Sequence, residues 1–447
     1  MKRKKRYIDV IVLGFILYGI IGGEIIQGSF AKGMDILPLA DMKKYAFYVS
    51  GNLPFQIQNK IRVLISDTDY QSKYHSSVCL GSEDGMIIEK NGETIRCLAN
   101  EQVTFQAEEA VEGNIIISSL KENGQITVYS VSRGGGNPSY FGNLELKFTQ
   151  DGIVMVNEVD LEKYLYLVVP SEMPVSYEKE ALKAQAVCAR TYAVAKIKQG
   201  LDPVFFSHLD DSVSSQVYAN QSLKEESVKA VDETYGMVLM NGNEVGSAYY
   251  FSTSCGLLSH PEDIWIKEKE EELKTVSATT LNESQQIENQ LKSVLEQTEG
   301  LEQAYPYFRW KVKIPYDSLE EKTGVGNISN ISVLKRGESG VAKILSITGD
   351  AGEKQYIGEY EIRSILSPMG LDLMKQNNEI NSSMNLLPSG YFYGIMEEDG
   401  YMIYGGGYGH GAGMSQNGAN ELAKQGYTYE EILKYYFENE KVLKIYR

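Results

Sequence analysis

From about Ile61 onward the chain is dominated by short runs rich in isoleucine and valine, separated by turn residues. The runs are "IRVLIS", "GMIIEK", "ETIRCLA", "NIIISSL" and "QITVYSV", and the same texture returns in "YPYFRWKVKI", "ISNISVLKR", "AKILSITG" and "KQYIGEYEI". Such runs, bounded by Gly, Asn and Asp, are typical of β-strands. The sequence therefore predicts a β-rich, mixed α+β body in which a few helices line a cleft.

One long helix stands out in this β-rich context, from Glu178 to about Lys198. Ser176 is a suitable N-cap, acidic residues occupy the first turn, and Gly200 ends the pattern. Its small apolar residues share one face that can pack closely on a sheet. Further helices are predicted over Leu223–Glu233, after Ser415, and after a capping box at Thr428.

The amino terminus has the pattern of an export signal, which could take one of two forms. Lys2 to Arg6 are all basic, and the apolar stretch Ile8–Ile26 that follows is long enough to span a membrane. An uncleaved anchor, a signal peptide cleaved after Ser29-Phe30-Ala31, and a buried core helix are all compatible with it. The first two place the body outside the cytoplasm. We divide the chain into this segment (1–27), a linker (28–53) and a main domain (54–447) with a charged insert at 266–303.

Net charge and cysteine content narrow the possible functions. The formal charge of −17 would repel phosphate backbones, so nucleic-acid binding is not expected. The four cysteines contain no C-x-x-C pair. Cys79 and Cys97 could form a disulfide outside the cytoplasm, and four independent buried thiols are the alternative.

Glu172 lies between an apolar run, read as a strand, and the long helix. Lys183 and Arg190 are seven residues apart and share one flank of that helix. They form either a solvated basic flank or a pair of cations beside a cleft that holds Glu172. A carboxylate in such a cleft fits general acid–base chemistry on an extended polar substrate.

The Gly-rich run "YGGGYGHGAGMSQNG" places His410 in a loop before the helix that follows Ser415. The run lacks the Lys-Ser/Thr of a P-loop, and the chain ends too soon after it for a dinucleotide-binding unit. Its glycines are predicted to let the backbone approach a ligand closely. No Gly-x-Ser-x-Gly elbow surrounds Ser252, Ser254 or Ser415, which argues against a serine hydrolase.

Four segments together resemble the family of stage II sporulation protein D and the amidase enhancers. They are "VNEVDLEKYLYLVVPSEMPVSYEKEALKAQAVCARTYAVA", "YYFSTSCG…EDIW", "YFRWKV" and "GGGYGHGAGMSQNGANELAKQGYTYEEILKYYF", in family order. The resemblance implies a membrane-anchored, extracytoplasmic protein that acts on peptidoglycan glycan strands alongside a cell-wall amidase and other membrane-anchored wall-remodelling proteins. Sporulation members are lytic transglycosylases that leave 1,6-anhydro-MurNAc ends. Other members enhance an amidase, so a non-catalytic glycan-binding partner is the alternative.

The resemblance also assigns roles to residues. It makes Glu172, in the Ser-Glu-Met-Pro motif, the catalytic acid. We assign substrate binding to Ser171, Lys183, Arg190, Ser252, Ser254, His410, Ser415 and Gln416. Some family members hold zinc through an Asp-x-x-His-Cys-Gln-x-Tyr run, which reads "DDSVSSQVY" here, with Ser214 and Ser215 at the ligand positions. Serine is a poor zinc ligand, so neither a metal nor another cofactor is expected. The insert has no assigned role.

Overall fold

The computed structural model describes residues 59–109, 112–134, 136–219, 222–265 and 278–446. These residues belong to one compact unit. The predicted N-terminal membrane segment and linker lie outside the described residues. Among the helices that are described, none combines the length and the apolar character needed to cross a bilayer.

A seven-stranded sheet forms the first layer of the body. All neighbouring strands are antiparallel except the short first pair. In spatial order the strands, numbered along the chain, are β11 (Leu209–Asp210), β1 (Lys60–Ile65), β10 (Gly152–Asp160), β9 (Asn143–Thr149), β6 (Asn114–Ser119), β3 (Met86–Lys90) and β4 (Glu93–Cys97). Residues 153–156 of β10 are buried, because the sheet is covered on both faces at this point.

Three small sheets complete this half of the body. The four-stranded sheet has the order β5 (Gln102–Gln106), β2 (Ser77–Gly81), β7 (Ile126–Val128), β8 (Ser139–Tyr140). The three-stranded sheet has the order β13 (Glu244–Val245), β12 (Met237–Asn241), β24 (Lys441–Lys444). A parallel pair joins β14 (Tyr250–Phe251) to β23 (Met414–Ser415).

The remaining strands build two antiparallel sheets between residues 310 and 405. The five-stranded sheet has the order β20 (Ile380–Asn381), β19 (Leu373–Lys375), β15 (Trp310–Pro315), β22 (Gly400–Gly405), β21 (Phe392–Met396). The three-stranded sheet has the order β16 (Ile328–Arg336), β17 (Ala342–Gly349), β18 (Gly352–Ile357). Trp310, Val312 and Ile314 alternate into a hydrophobic core of this region, separate from the larger core around β10.

Nine α-helices are found among the described residues. They are α1 (Leu161–Glu172), α2 (Lys179–Gln199), α3 (Glu225–Glu233), α4 (Pro261–Ile264), α5 (Ala278–Leu295), α6 (Tyr316–Thr323), α7 (Glu359–Ile365), α8 (Gln416–Lys424) and α9 (Tyr429–Tyr436). Short 3-10 turns lie at Ala107–Glu109 and Pro306–Phe308. The β-rich α+β prediction is thus confirmed, as is the capping box of Thr428 and Glu431 at the start of α9.

The long helix is more deeply buried than its sequence indicated. Apart from Lys183 and Tyr192, the side chains of α2 from Ala181 to Val194 are buried, on every side of the helix. A helix enclosed all round lies in the interior of a protein rather than on its surface. Its N-cap is Glu178 rather than Ser176, and Gly200 ends it with φ 93°.

The prediction about the segment before α2 needs correction. The apolar run before Glu172 is a helix, because Leu161, Leu165 and Val168 recur at helical spacing and face the core. The β-branched Val168-Val169 and the following Pro170 suggest a strand when they are considered without the preceding residues. Within the insert, residues 266–277 lie outside the described residues, whereas α5 buries Leu291 and Leu295 against the body.

The four cysteines are free thiols. Cys79 lies on β2 and Cys97 on β4, in two different sheets. Of the two alternatives left open by the sequence, the structure has the unpaired thiols.

Candidate active site

Glu172 is the last residue of α1, and the chain turns there towards α2. The backbone N–H of Val217 donates a hydrogen bond of 2.6 Å to one carboxyl oxygen of Glu172. The Tyr250 hydroxyl donates a second hydrogen bond to the same carboxyl group. Three separate segments of the chain therefore meet at this one acid.

A buried polar network holds Tyr250 in place. Gln216 donates from Nε2 to the Tyr250 hydroxyl (3.1 Å) and to the carbonyl of Ala189 on α2 (3.2 Å). Its Oε1 accepts a hydrogen bond from the Tyr164 hydroxyl of α1 (3.1 Å). Because each polar atom of the Gln216 amide has a partner, the network fixes the orientation of the acid.

Burial raises the pKa of Glu172 to about 7, against the smaller lowering effects of the Val217 and Tyr250 hydrogen bonds. The negative end of the α1 dipole lies at the same point and also disfavours the carboxylate. Among the described residues, no lysine or arginine contributes to the shift. A carboxyl group with this pKa is partly protonated at neutral pH and can donate a proton to a substrate.

Gln416 and Ser415 lie beside Glu172, but their contacts are with the protein. Gln416 donates from Nε2 to the backbone carbonyl of Glu172 (3.1 Å) and to Gln185 (3.4 Å). The Ser415 hydroxyl is fully buried and accepts the N–H of Gly418 as the N-cap of α8. Both residues position the site. These contacts direct the Ser415 hydroxyl and the Gln416 amide towards the protein and not towards a substrate.

A buried acid, Glu302, lies next to them and was not predicted from the sequence. It accepts hydrogen bonds from the Ser415 hydroxyl (2.7 Å) and the backbone N–H of Ser254 (2.8 Å). Burial raises its pKa to about 8. Glu302 belongs to the charged insert, where nothing in the sequence distinguishes it from neighbouring surface acids. Its contacts tie the insert to the segments that carry the predicted site residues.

The two other predicted serines and Ser171 also have partners within the chain. Ser171 donates to the carbonyl of Leu167 in its own helix (2.6 Å). Ser254 donates to the carbonyl of Leu257 (3.0 Å), and the Ser252 hydroxyl lies 3.2 Å from that of Thr253. Ser171 and Ser252 remain half-buried, whereas Ser254 is buried, so the exposure of the first two still fits contact with a ligand.

Lys183 and Arg190, the predicted basic pair, lie in different environments on α2. Lys183 forms ion pairs with Glu180 (2.7 Å) and Glu233 (2.8 Å) near the start of α2. Arg190 is 0 % exposed and makes a two-pronged ion pair with Glu162 at 2.6 and 2.8 Å. Its other donors reach Thr234 and two backbone carbonyls. The structure does not bring this pair to Glu172, and the enclosure of Arg190 is incompatible with substrate contact.

His410 is held in the Gly-rich loop by two hydrogen bonds. Nδ1 accepts the N–H of Ala412 (3.1 Å), and the other ring nitrogen donates to the backbone carbonyl of Tyr250. Burial lowers its pKa to about 4, so the ring is neutral at pH 7. The neutral ring uses both nitrogens in hydrogen bonds and holds the Tyr250 segment in position. It is not a general acid at pH 7.

The glycines of this loop serve a packing role that differs from the prediction. A Cβ at Gly413 would lie 2.1 Å from the carbonyl oxygen of Tyr249, and φ is 80° there. At Gly407 a Cβ would meet the Thr253 carbonyl oxygen at 2.9 Å. The glycines therefore let the loop approach the protein's own 249–254 segment closely, rather than a ligand.

A row of aromatic rings lies near Glu172, whose charge acts on Tyr192 at one end of the row. Tyr192 lies 6.2 Å from Tyr249, Tyr249 lies 4.3 Å from Trp265, and Trp265 lies 5.0 Å from His410, measured between ring centroids. Trp265 is 41 % exposed. The row offers a surface on which a sugar ring can pack, because aromatic faces combine large apolar area with a polar edge.

The residues at the family's zinc positions do not fit a metal. Ser214 donates to the Asp210 carboxylate at 3.0 Å, and Ser215 lies 3.3 Å from the Asp210 backbone nitrogen. The described part of the chain contains no group of three or more His, Cys, Asp or Glu side chains arranged for a metal ion. Elemental analysis of protein purified without chelator is the measurement that checks the expectation of no bound zinc.

Comparison with known proteins divides the site between two family models. Residues 149–241 match the model described as stage II sporulation protein, which covers Glu172 and Gln216. Residues 259–413 match a domain of unknown function (DUF8618), which covers Trp265, Glu302 and His410.

Curated relatives match at low identity. The chain is 28 % identical to the amidase enhancer of Bacillus subtilis over 60 % of this chain and 39 % of that protein. It is 28 % identical to stage II sporulation protein D of Bacillus subtilis over 64 % of this chain and 75 % of that protein. An uncharacterized protein of Brachyspira hyodysenteriae is 29 % identical over 67 % of this chain and 70 % of its own length. The chain thus matches well under half of the amidase enhancer.

Proposed function

The chain belongs to the family of stage II sporulation protein D and the amidase enhancers, and we propose that it is a peptidoglycan lytic transglycosylase. Its substrate is the bond between N-acetylmuramic acid and N-acetylglucosamine in glycan strands without stem peptides. The products end in 1,6-anhydro-MurNAc. The setting is sporulation or another remodelling of the cell wall.

One observation carries the proposal: the carboxyl group of Glu172 has a pKa of about 7 and lies near a row of aromatic rings. Glycoside hydrolysis normally needs two carboxyl groups that flank the bond. A lytic transglycosylase can work with one, because the substrate's own hydroxyl replaces water.

Several other acids near this region are engaged in structural contacts. Glu302 is buried and held by Ser254 and Ser415. The further acids have these partners: Glu158 pairs with Lys60 and Arg62, Asp160 caps α1, and Asp263 pairs with Lys343. These contacts support a mechanism that depends on Glu172, and the exposed Glu262, whose charge acts on Tyr249, is the acid to test first for a second carboxyl group.

In the first half of the reaction, protonated Glu172 donates its proton to the glycosidic oxygen as the bond from C1 of the muramoyl ring to that oxygen breaks. The Val217 N–H and the Tyr250 hydroxyl stabilise the carboxylate that forms. In the second half, the carboxylate takes the proton of the muramoyl C6 hydroxyl, whose oxygen bonds to C1. The acid regains its proton, and no water molecule needs to be positioned.

The direct test uses purified protein, denuded glycan strands and mass spectrometry of the products. We expect fragments that end in 1,6-anhydro-MurNAc. Fragments that end in a reducing sugar would contradict the proposal, because they require water and a second carboxyl group.

A second function is favoured by one specific observation, the 28 % identity to a relative named amidase enhancer. In that function the protein binds glycan strands without cutting them and activates a cell-wall amidase. Protein that leaves denuded strands intact but speeds an amidase in the same assay would establish it in place of the first.

The pH dependence of cutting provides a further prediction. Since Glu172 must be protonated to act as an acid and its pKa is about 7, kcat/KM should fall roughly tenfold per pH unit above about 7.5. Initial rates on denuded strands between pH 5.5 and 9 measure this. A rate that stays flat up to pH 9 would show that another group donates the proton.

Trp265 is predicted to hold a sugar ring of the substrate. Trp265→Ala should raise KM for glycan strands about three- to tenfold with a smaller change in kcat, because aromatic contacts contribute about 0.5–1.5 kcal/mol. Tyr360→Ala is the matched control, since Tyr360 is 68 % exposed on α7. Equal kinetics for the two variants would remove Trp265 from the binding surface.

We also propose that the body works outside the cytoplasm, held at the membrane by the segment Ile8–Ile26 or released by its cleavage. The full-length protein is expected in the membrane fraction, with its body open to external protease in spheroplasts. Recovery of a soluble form that begins near Lys32 would indicate a cleaved signal peptide, and protection from protease would contradict both forms.

A further inference from the structure

An open groove of about 330 Å³ lies on the outward face of the five-stranded sheet, in the part of the chain that matches the domain of unknown function. Its floor is a row of cross-strand neighbours on β19, β15, β22 and β21. In that order the row is Met374, Lys311, Tyr404 and Tyr393. The end of α5 and the turn after β19 form the walls.

Positive charge is concentrated in this groove. Three basic residues, Arg309, Lys311 and Lys375, line the groove, whereas its lining contains one acidic residue, Glu296. Lys375 also pairs with Glu379, whereas Lys311 is exposed beside Tyr404. A basic groove on a protein of formal charge −17 favours a ligand that carries a negative charge.

Arg309 is built into the groove rather than mobile on it. Its guanidinium donates to the carbonyls of Val294 in α5, of Gln297 just after α5, and of Cys255 and Phe308. These partners are neutral, so the positive charge of Arg309 is retained at the groove wall. Burial lowers the pKa of Arg309, but an arginine stays charged at any physiological pH.

Two further features fit a sugar rather than a simple anion. Tyr404 stacks on Tyr393 with ring centroids 5.3 Å apart and planes 17° from parallel, and Tyr404 is half-buried at the groove surface. Gln376 donates from Nε2 to the Gln303 carbonyl, but its buried Oε1 has no hydrogen-bond partner. Because a buried acceptor without a partner is costly, a hydroxyl donor from a ligand would satisfy it.

We propose that this groove is a second glycan-binding site, separate from Glu172, that takes a carboxylate-bearing sugar of the strand. The carboxylate binds Lys311 and Arg309, a ring packs on Tyr404, and a hydroxyl donates to Gln376. The identity of the sugar as a muramoyl residue with its lactyl carboxylate rests on the proposed function. A strand held at two sites gains effective concentration at the acid, which a short fragment cannot do.

The test compares Lys311→Glu with Lys354→Glu, an exposed lysine on β18 in a different sheet. Both are placed in a Glu172→Gln background, and binding of long denuded strands is measured by sedimentation. Lys311→Glu is expected to weaken binding about tenfold or more, because it reverses the charge that meets the carboxylate. Lys354→Glu is expected to bind like its parent. Strands whose lactyl carboxyl groups have been reduced to alcohols should bind the parent weakly and be insensitive to Lys311→Glu.

Activity with Glu172 intact completes the test. Lys311→Glu should raise KM for long strands and leave kcat/KM for a soluble tetrasaccharide unchanged. Equal binding by the two lysine variants would overturn the groove proposal, and an equal loss on the tetrasaccharide would make the groove part of the cutting site. If the parent protein cuts nothing while Lys311→Glu still loses strand binding, the proposed reaction fails and the groove stands.

Discussion

Glu172→Gln is expected to fold normally, to bind denuded glycan strands and to release no measurable product. Glutamine keeps the shape of the side chain and can still accept the Val217 N–H, but it cannot donate and retake a proton. General acid–base catalysis contributes about 10²–10⁴-fold in rate, and the loss should reach at least that size. Product mass spectrometry on long incubations measures the residual rate.

Glu302→Gln is the matched control, since it changes the other buried acid of the same region in the same way. Its carboxyl group has a pKa of about 8 and is mostly protonated at pH 7, so an amide should be tolerated. We expect near-normal cutting from this variant. If Glu302→Gln is as inactive as Glu172→Gln, two carboxyl groups take part and the one-acid mechanism is wrong. If Glu172→Gln cuts as fast as the parent, the catalytic assignment itself fails.

The second large effect is expected on stability, at Arg190. Arg190→Met should destabilise the protein by about 3–5 kcal/mol, because it leaves the buried Glu162 carboxylate without its partner. The free energy of unfolding from urea denaturation, followed by tryptophan fluorescence, measures this. Lys183→Met is the control from the same helix, and its partly exposed ion pairs should contribute no more than about 1 kcal/mol.

A companion variant separates a structural from a binding role. Glu162→Leu combined with Arg190→Met replaces the whole ion pair by apolar groups, and it should recover part of the lost stability. Recovery of stability together with normal glycan binding would establish that Arg190 acts through the fold. An Arg190→Met protein of unchanged stability that no longer binds glycan would instead restore the substrate-binding role that the motif predicted.

The burial of the two acids also bears on the choice between cutting and binding. Glu172 is half-buried and lies where three segments meet, and the row of aromatic rings near it includes the exposed Trp265. Glu302 is closed off and joins the insert to the Ser254 and Ser415 segments. A raised pKa alone does not identify a catalytic acid, because Glu302 has a pKa of about 8 in a structural role. The partial exposure of Glu172 distinguishes it and supports the enzyme over the enhancer, because a proton donor must reach its substrate.

Local patterns in the sequence determined several features correctly. The Ile- and Val-rich runs predicted a β-rich body, and the spacing of Thr428 and Glu431 predicted a capping box that is present. The Ser-Glu-Met-Pro motif pointed to Glu172, which does lie in a polar network at the junction before α2. The strands and the capping box depend on neighbours a few residues away, which a linear pattern contains, whereas the partners of Glu172 come from distant segments.

Contacts between residues far apart in sequence were visible only in the tertiary structure. Glu162 and Arg190 are 28 positions apart, and the sequence does not indicate that they form an ion pair. This pairing buries Arg190, which the sequence had placed on a basic flank of the helix. In the sequence, Glu302 resembles a surface acid, whereas in the structure it is buried and hydrogen-bonded to Ser254 and Ser415. The glycines before Ser415 contact Tyr249 and Thr253 rather than a ligand. Burial, and with it the pKa of Glu172, arises from the sum of contacts between segments far apart in sequence, and so it could not be read from any one of them.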